Sequence, residues 1–128
     1  MAAFDTICQM AVDDADLADF IVVYIEEAHP TDGWALPANY DIIQHRTIKD
    51  RLAAAAKLVL RQLPANMTVV VDTMSEPLNL NSAYGGLYER LYVIHNGTVA
   101  YQGERGPIGF HPGEVASWLK AYRDTLNM

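Results

Sequence analysis

Two carboxylates and an imidazole, Glu26, Glu27 and His29, follow directly on the apolar run from Phe20 to Ile25. That run is continuous in β-branched and aromatic residues, the pattern of a strand buried on both faces in a parallel sheet. In open α/β sheets, ligands gather beyond the carboxyl ends of the strands, so the acid-imidazole cluster stands where a site belongs. Tyr24, His45, Asp72 and Arg105 are the other side chains able to move protons or hold charge. Each also has a plain structural reading. Glu26 and Glu27 fit solvated loop acids, His29 and His45 fit loop histidines capping backbone groups, and Tyr24 and Trp34 fit packing residues. Asp72 fits a strand-end turn, and Arg105 fits an exposed loop charge. Cys8 is the one cysteine. It excludes an internal disulfide and a CxxC pair, and it reads as a small core hydrophobe within a helix.

The elements that must position these groups are legible from periodicity. Phe4, Ile7 and Met10 or Ala11 recur at helical steps, predicting a helix from Ala2 to Leu17. A second helix is expected from Ile48 to Leu63, with Ile48, Leu52, Ala55, Ala56, Val59 and Leu63 as its apolar stripe. Thr47 and Asp50 form its capping box, and Pro64 ends it. Thr68 to Asp72 reads as a short buried strand, and Ser75 to Gly86 as a polar loop. Asn96-Gly97 between two β-rich runs, Leu91 to Ile94 and Thr98 to Tyr101, predicts a hairpin with a type I′ turn. Pro112 opens a last helix whose face carries Val115, Trp118, Leu119, Tyr122 and Leu126.

The order is thus α-β-α-β-β-α, and one strand in front would complete a thioredoxin-like α/β fold. A helix of about 15 residues spans roughly 22 Å, and the returning strand of about 7 residues spans roughly 23 Å. Met1 and the Glu-His cluster are therefore expected at one edge of the sheet. In a thioredoxin-like fold that edge holds the nucleophile, where the helix dipole lowers a thiol or selenol pKa.

Composition narrows the class. The 128 residues are 51% hydrophobic and 20% charged, with net charge −7 from 16 acids and 9 bases. An acidic chain disfavours nucleic acid, which requires a cationic face. Residues 1–128 read as one globular domain with no zinc-ligand pattern, and no apolar run approaches the roughly 20 residues a membrane span needs. As written, the chain reads as a soluble domain of a reducing compartment.

Several blocks, in order, resemble the iodothyronine deiodinase family. They are Asp19-Phe-Ile-Val-Val-Tyr-Ile-Glu-Glu-Ala-His-Pro-Thr-Asp-Gly-Trp34, His45-Arg46 with Asp50-Arg51, and Val71-Asp72-Thr73-Met74. Ala83-Tyr-Gly-Gly-Leu-Tyr-Glu-Arg-Leu-Tyr-Val-Ile94 and Tyr101-Gln-Gly-Glu-Arg-Gly-Pro107 complete the set. The His-Pro step and the Ala-Tyr-Gly block look most like inner-ring (type 3) members. The resemblance implies a thioredoxin-like reductive dehalogenase whose selenocysteine takes iodine from thyroxine or triiodothyronine and is regenerated by an external thiol. It implies no bound cofactor, a homodimer, and a selenocysteine-Pro-Pro-Phe segment just before Met1, together with the first strand and any membrane anchor. It assigns His29 to the reacting iodophenol, Arg105 to the far end of the hormone, and Tyr24, Glu27 and His45 to a proton relay. Glu89 matches a family acid without an assigned role. Met67 stands near the place where some inner-ring members carry a regenerating cysteine, which makes an external thiol the expected reductant. The alternatives are a thioredoxin-like reductase or dehalogenase of another substrate, and a non-catalytic binding module.

Overall fold

The computed structural model describes residues 2–25, 44–59, 62–75, 78–86, 89–106 and 109–127. Among them the element order is α1 (Ala2–Asp13), β1 (Phe20–Tyr24), α2 (Ile48–Val59), β2 (Met67–Val71), α3 (Leu80–Tyr84), β3 (Tyr92–His95), β4 (Thr98–Gln102) and α4 (Pro112–Leu126). The chain is mixed α/β, with two two-stranded sheets, β1-β2 and β3-β4. Phe20 N–H donates to the Asn66 carbonyl at 2.9 Å, and Asp72 N–H donates to the Tyr24 carbonyl at 2.9 Å. Both strands advance together between those bonds, so β1 and β2 run parallel, as the apolar runs imply.

The residues divide into two compact units: 1–20, 63–68 and 89–128 in the first, 21–62 and 69–88 in the second. The first has its core in Met10, Val115 and Leu119, with Leu17, Phe20, Leu91, Val93 and Trp118 packed around them. The amphipathic faces of α1 and α4 supply the central residues, as their periodicity predicts. Asn66 Nδ2 donates to the carbonyls of Ala11 and Ala18 at 3.0 and 3.1 Å, which ties the end of α1 to the start of β2. In the hairpin, Asn96 and Gly97 have φ of 53° and 78°. A type I′ turn requires both values to be positive, and they match the right-handed twist of the flanking strands. The register runs from Tyr92↔Gln102 to His95↔Thr98, with an irregularity between Val93 and Ile94. Tyr101 hydroxyl donates to Glu114 at 2.8 Å, joining β4 to α4. Burial, with that carboxylate beside it, pushes the Tyr101 phenol up.

Several expectations are corrected. The first helix stops at Asp13 rather than Leu17. Its last turn is followed by acids, which oppose the negative end of the helix dipole, and Asp14 and Asp16 bind Arg123 instead. The second helix is described to Val59; residues 62–64 are not helical, and Leu60 and Arg61 lie outside the described residues. Its buried side is Arg51, Ala54 and Ala55, while Ile48, Leu52 and Val59 of the expected stripe are exposed. β1 is not buried on both faces, because Ile21 is 68% exposed. The polar loop at Ser75 to Gly86 contains α3. Its first turn is satisfied by capping acceptors rather than by an apolar period, so periodicity gave no sign of it.

Candidate active site

Within the second unit, polar groups collect where β1 and β2 end. Tyr24 is the last residue of β1, and Asp72 follows the last residue of β2. His45 lies just before α2, whose start the capping box fixes. Asp50 Oδ2 accepts from the Arg46 and Thr47 amides at 3.0 and 3.1 Å, and Asp50 N–H donates to Thr47 Oγ1 at 3.2 Å. The Arg46 amide, then the Thr47 groups, hold the Asp50 carboxyl below its ordinary value. With α2 started there, Arg51 falls on the side shared with Ala54 and Ala55, whose short side chains leave room for a guanidinium.

His45 and Arg51 are 6% and 5% exposed. The rings of Tyr24 and His45 are 5.4 Å apart at 40°. Arg51 Nε–H donates to His45 Nδ1 at 3.1 Å, and Nη1 donates to the carbonyls of Asp72 and Thr73 at 3.1 and 3.2 Å. Asp72, 2% exposed, turns its carboxylate the other way. Oδ1 accepts from the Thr73 and Leu80 amides at 3.0 and 2.7 Å, and Oδ2 accepts from the Asn81 amide at 2.9 Å. The Leu80 and Asn81 amides are first-turn donors of α3 that have no partner within the helix. One aspartate therefore closes the strand-end turn and caps α3, while Asn79 Oδ1 caps the Ser82 amide at 2.9 Å. A buried carboxylate needs such donors to offset its lost hydration.

These groups line a cleft of about 170 Å³ bounded by His45, Arg51, Asp72, Thr73, Asn79 and Asn81. Among the described residues, the Asn81 Oδ1 is buried without a hydrogen-bond partner, and it is the open acceptor at the cleft. Chemically, the arrangement holds an imidazole between a phenol and a guanidinium at the carboxyl ends of parallel strands. It can carry a proton or orient a polar substrate group. Among the described residues no group of three His, Cys, Asp or Glu could hold a metal ion, and no helix is long and apolar enough to cross a membrane.

Of the residues singled out in the sequence, Tyr24 and His45 are brought together here. Glu27 and His29 lie outside the described residues, as do Glu26 and Trp34. Arg105 belongs to the first unit, on the segment between β4 and α4, and is exposed. Its side chain makes no hydrogen bond or ion pair among the described residues. Glu89 shapes that segment: Gly106 N–H donates to its carbonyl at 2.9 Å, and a Cβ at Gly106 would sit 2.6 Å from Glu89 Oε1. Cys8 is half-buried in the second turn of α1, beyond the first turn where a dipole would activate a thiol. Arg51 and Asn81 were missed as site residues. The signal for Arg51 was an arginine in register with two alanines, which a search for apolar stripes passes over.

Comparison with known proteins supplies the family. A profile described as "Iodothyronine deiodinase" matches residues 1–123. The chain is 50% identical over 113 residues to a protein of Sparus aurata named thyroxine 5-deiodinase, covering 88% of this chain and 41% of that protein. It is 48% identical over 124 residues to the Aquarana catesbeiana protein of the same name, covering 96% and 45%. It is 47% identical over 110 residues to the Homo sapiens one, covering 85% and 35%. The chain thus spans less than half the length of each of these relatives. The match over 1–123 takes in every block from Asp19 to Pro107 and both ends of the cleft, and the chain belongs to the iodothyronine deiodinase family.

Proposed function

We propose that this chain forms the larger part of the catalytic domain of an enzyme that reductively removes iodine from thyroxine or triiodothyronine, on a thioredoxin-like scaffold. The observation that carries this reading is the ring contact between half-buried Tyr24 and buried His45 at the carboxyl ends of β1 and β2, in a chain of this family. In the reaction, a selenolate takes the iodine and the ring carbon takes a proton. Two thiols then reduce the selenenyl iodide, releasing iodide and leaving a disulfide. The protons have to be delivered at a fixed place. Tyr24 and His45 are suited to that, with Glu27 and His29 as the further members implied by the resemblance. Arg105 suits the carboxylate at the far end of the hormone, since a guanidinium fork binds that group in two bonds. A selenocysteine on a segment before Met1, an external thiol reductant and a homodimer belong to the same reading.

The test is iodide release from thyroxine, with a dithiol, by the chain joined at Met1 to its first strand and a selenocysteine-Pro-Pro-Phe segment. Iodide release that falls at least tenfold in His45→Gln supports the reading. No iodide from the joined protein, with reduction of halotyrosines or peroxides instead, would replace it with a reductase of another substrate.

A further inference from the structure

The geometry points to Arg51 as a positioning residue that fixes His45 in the tautomer protonated at Nε2. Every N–H of arginine donates and none of its nitrogens accepts. A bond of 3.1 Å from Arg51 Nε to His45 Nδ1 therefore requires a lone pair on Nδ1, and the ring proton stands on Nε2. Metal-bound and catalytic histidines more often have their tautomer set by an acceptor to which a ring N–H donates. Here a donor sets it, and the proton lies on the opposite nitrogen from that arrangement.

Arg51 has no freedom to slip from this role. Its Nη1 is held by two carbonyls, those of Asp72 and Thr73. The Asp72 carboxylate is in turn locked by three backbone amides. Among the described residues Arg51 makes no carboxylate ion pair, so its bonds are to neutral acceptors, two carbonyls and one imidazole. The guanidinium is 5% exposed, and losing the Nδ1 acceptor would leave a buried donor unsatisfied, which costs about 1–3 kcal/mol. The helix, the strand-end turn and α3 thus converge on one proton position. This rests on the proposed reading only in its consequence, that His45 exchanges protons through Nε2; the tautomer itself is independent of any activity.

Nitrogen NMR on the full chain tests it directly. A through-bond coupling between Arg51 Nε and His45 Nδ1 is expected, with a pyridine-type shift at Nδ1 and a pyrrole-type shift at Nε2. His45→Gln assigns the signals among the four histidines. Arg51→Met keeps much of the side-chain length but has no donor for Nδ1. It should move the His45 nitrogens to the averaged shifts of exchanging tautomers and lower iodide release at least tenfold with KM unchanged. A pyrrole-type Nδ1 in the unmutated protein, or no coupling, overturns the proposal even if Arg51→Met fails to fold. An unchanged tautomer in a folded Arg51→Met overturns it as well. A confirmed tautomer with full activity in His45→Gln would instead sink the proton-transfer reading of His45 and leave the positioning intact.

Discussion

Arg105 and Cys8 show how chemistry at the residue scale depends on what a side chain is already doing. Arg105 is exposed, and its guanidinium makes no bond within the described residues, so nothing local is lost on truncating it. If it holds the hormone carboxylate, Arg105→Ala removes a charge-assisted bond pair worth about 1.5–3 kcal/mol. KM for thyroxine should then rise roughly ten- to a hundredfold, since tenfold is about 1.4 kcal/mol, with kcat little changed and the melting temperature unmoved. Unaltered KM would return Arg105 to the surface charge its loop suggests. Cys8 lies beyond the first turn of α1, so Cys8→Ala should leave iodide release unchanged, and a loss would place Cys8 on the path that regenerates the enzyme. The sequence revealed the identity of Tyr24 and His45 as candidates, because the resemblance named them. It did not reveal that Arg51 touches His45. That contact depends on the helix starting just after Thr47 and on the Asp72 and Thr73 carbonyls accepting from the same guanidinium, and neither is a property of spacing.

At the scale of elements, local signals served well wherever the determinant lay within a few residues. The hairpin follows from Asn96-Gly97, the start of α2 from Thr47 and Asp50, and the face of α4 from Val115 and Leu119. Thr47→Ala should cost about 1 kcal/mol by removing the cap acceptor for the Asp50 amide, read as a lower denaturant midpoint with an unchanged slope. The errors share one cause, which is that the determinant sat elsewhere in the chain. α1 ends early because Asp14 and Asp16 are engaged by Arg123, 109 and 107 residues away. α3 forms because Asp72, eight and nine residues before Leu80 and Asn81, supplies its acceptors. Asp72→Ala should therefore cost at least about 2 kcal/mol, since it takes a charged acceptor from three backbone amides, of which that of Asn81 is buried. Amide exchange should report this first in α3, with Leu80 and Asn81 losing protection while the β3-β4 hairpin keeps it. Uniform loss across the chain would mean that α3 and the cleft have no independent stability.

For the molecule as a whole, the charge balance sets a direction for stability against pH. Arg123 binds Asp16 through both carboxylate oxygens, at 2.9 and 2.8 Å, and Asp14 at 2.9 Å. The Arg123 hydrogen bond holds the Asp16 carboxyl below its ordinary value of 3.8, as the Arg46 amide does for Asp50. A group whose folded value lies below its unfolded one stabilises fully above the unfolded value. It loses that contribution as pH falls through the folded one. Both carboxylates therefore contribute fully at neutral pH, begin to lose that contribution as pH falls below their ordinary value of 3.8, and have lost it only below their lower folded values. Both are exposed, so salt should weaken the Arg123 pair but leave the Asp50 cap, which acts over hydrogen-bond distance, nearly untouched. Tyr101 acts at the other limit: its phenol is raised, so its contribution is present below its ordinary value of 10.0 and is lost as pH rises through the folded one. Denaturant midpoints measured from pH 7 down to pH 2 should fall most steeply below about pH 4. Arg123→Gln should flatten that fall at low salt, and Asp50→Asn should flatten it at low and high salt alike. A fall that is unchanged in both variants would place the acid-labile carboxylates elsewhere in the chain.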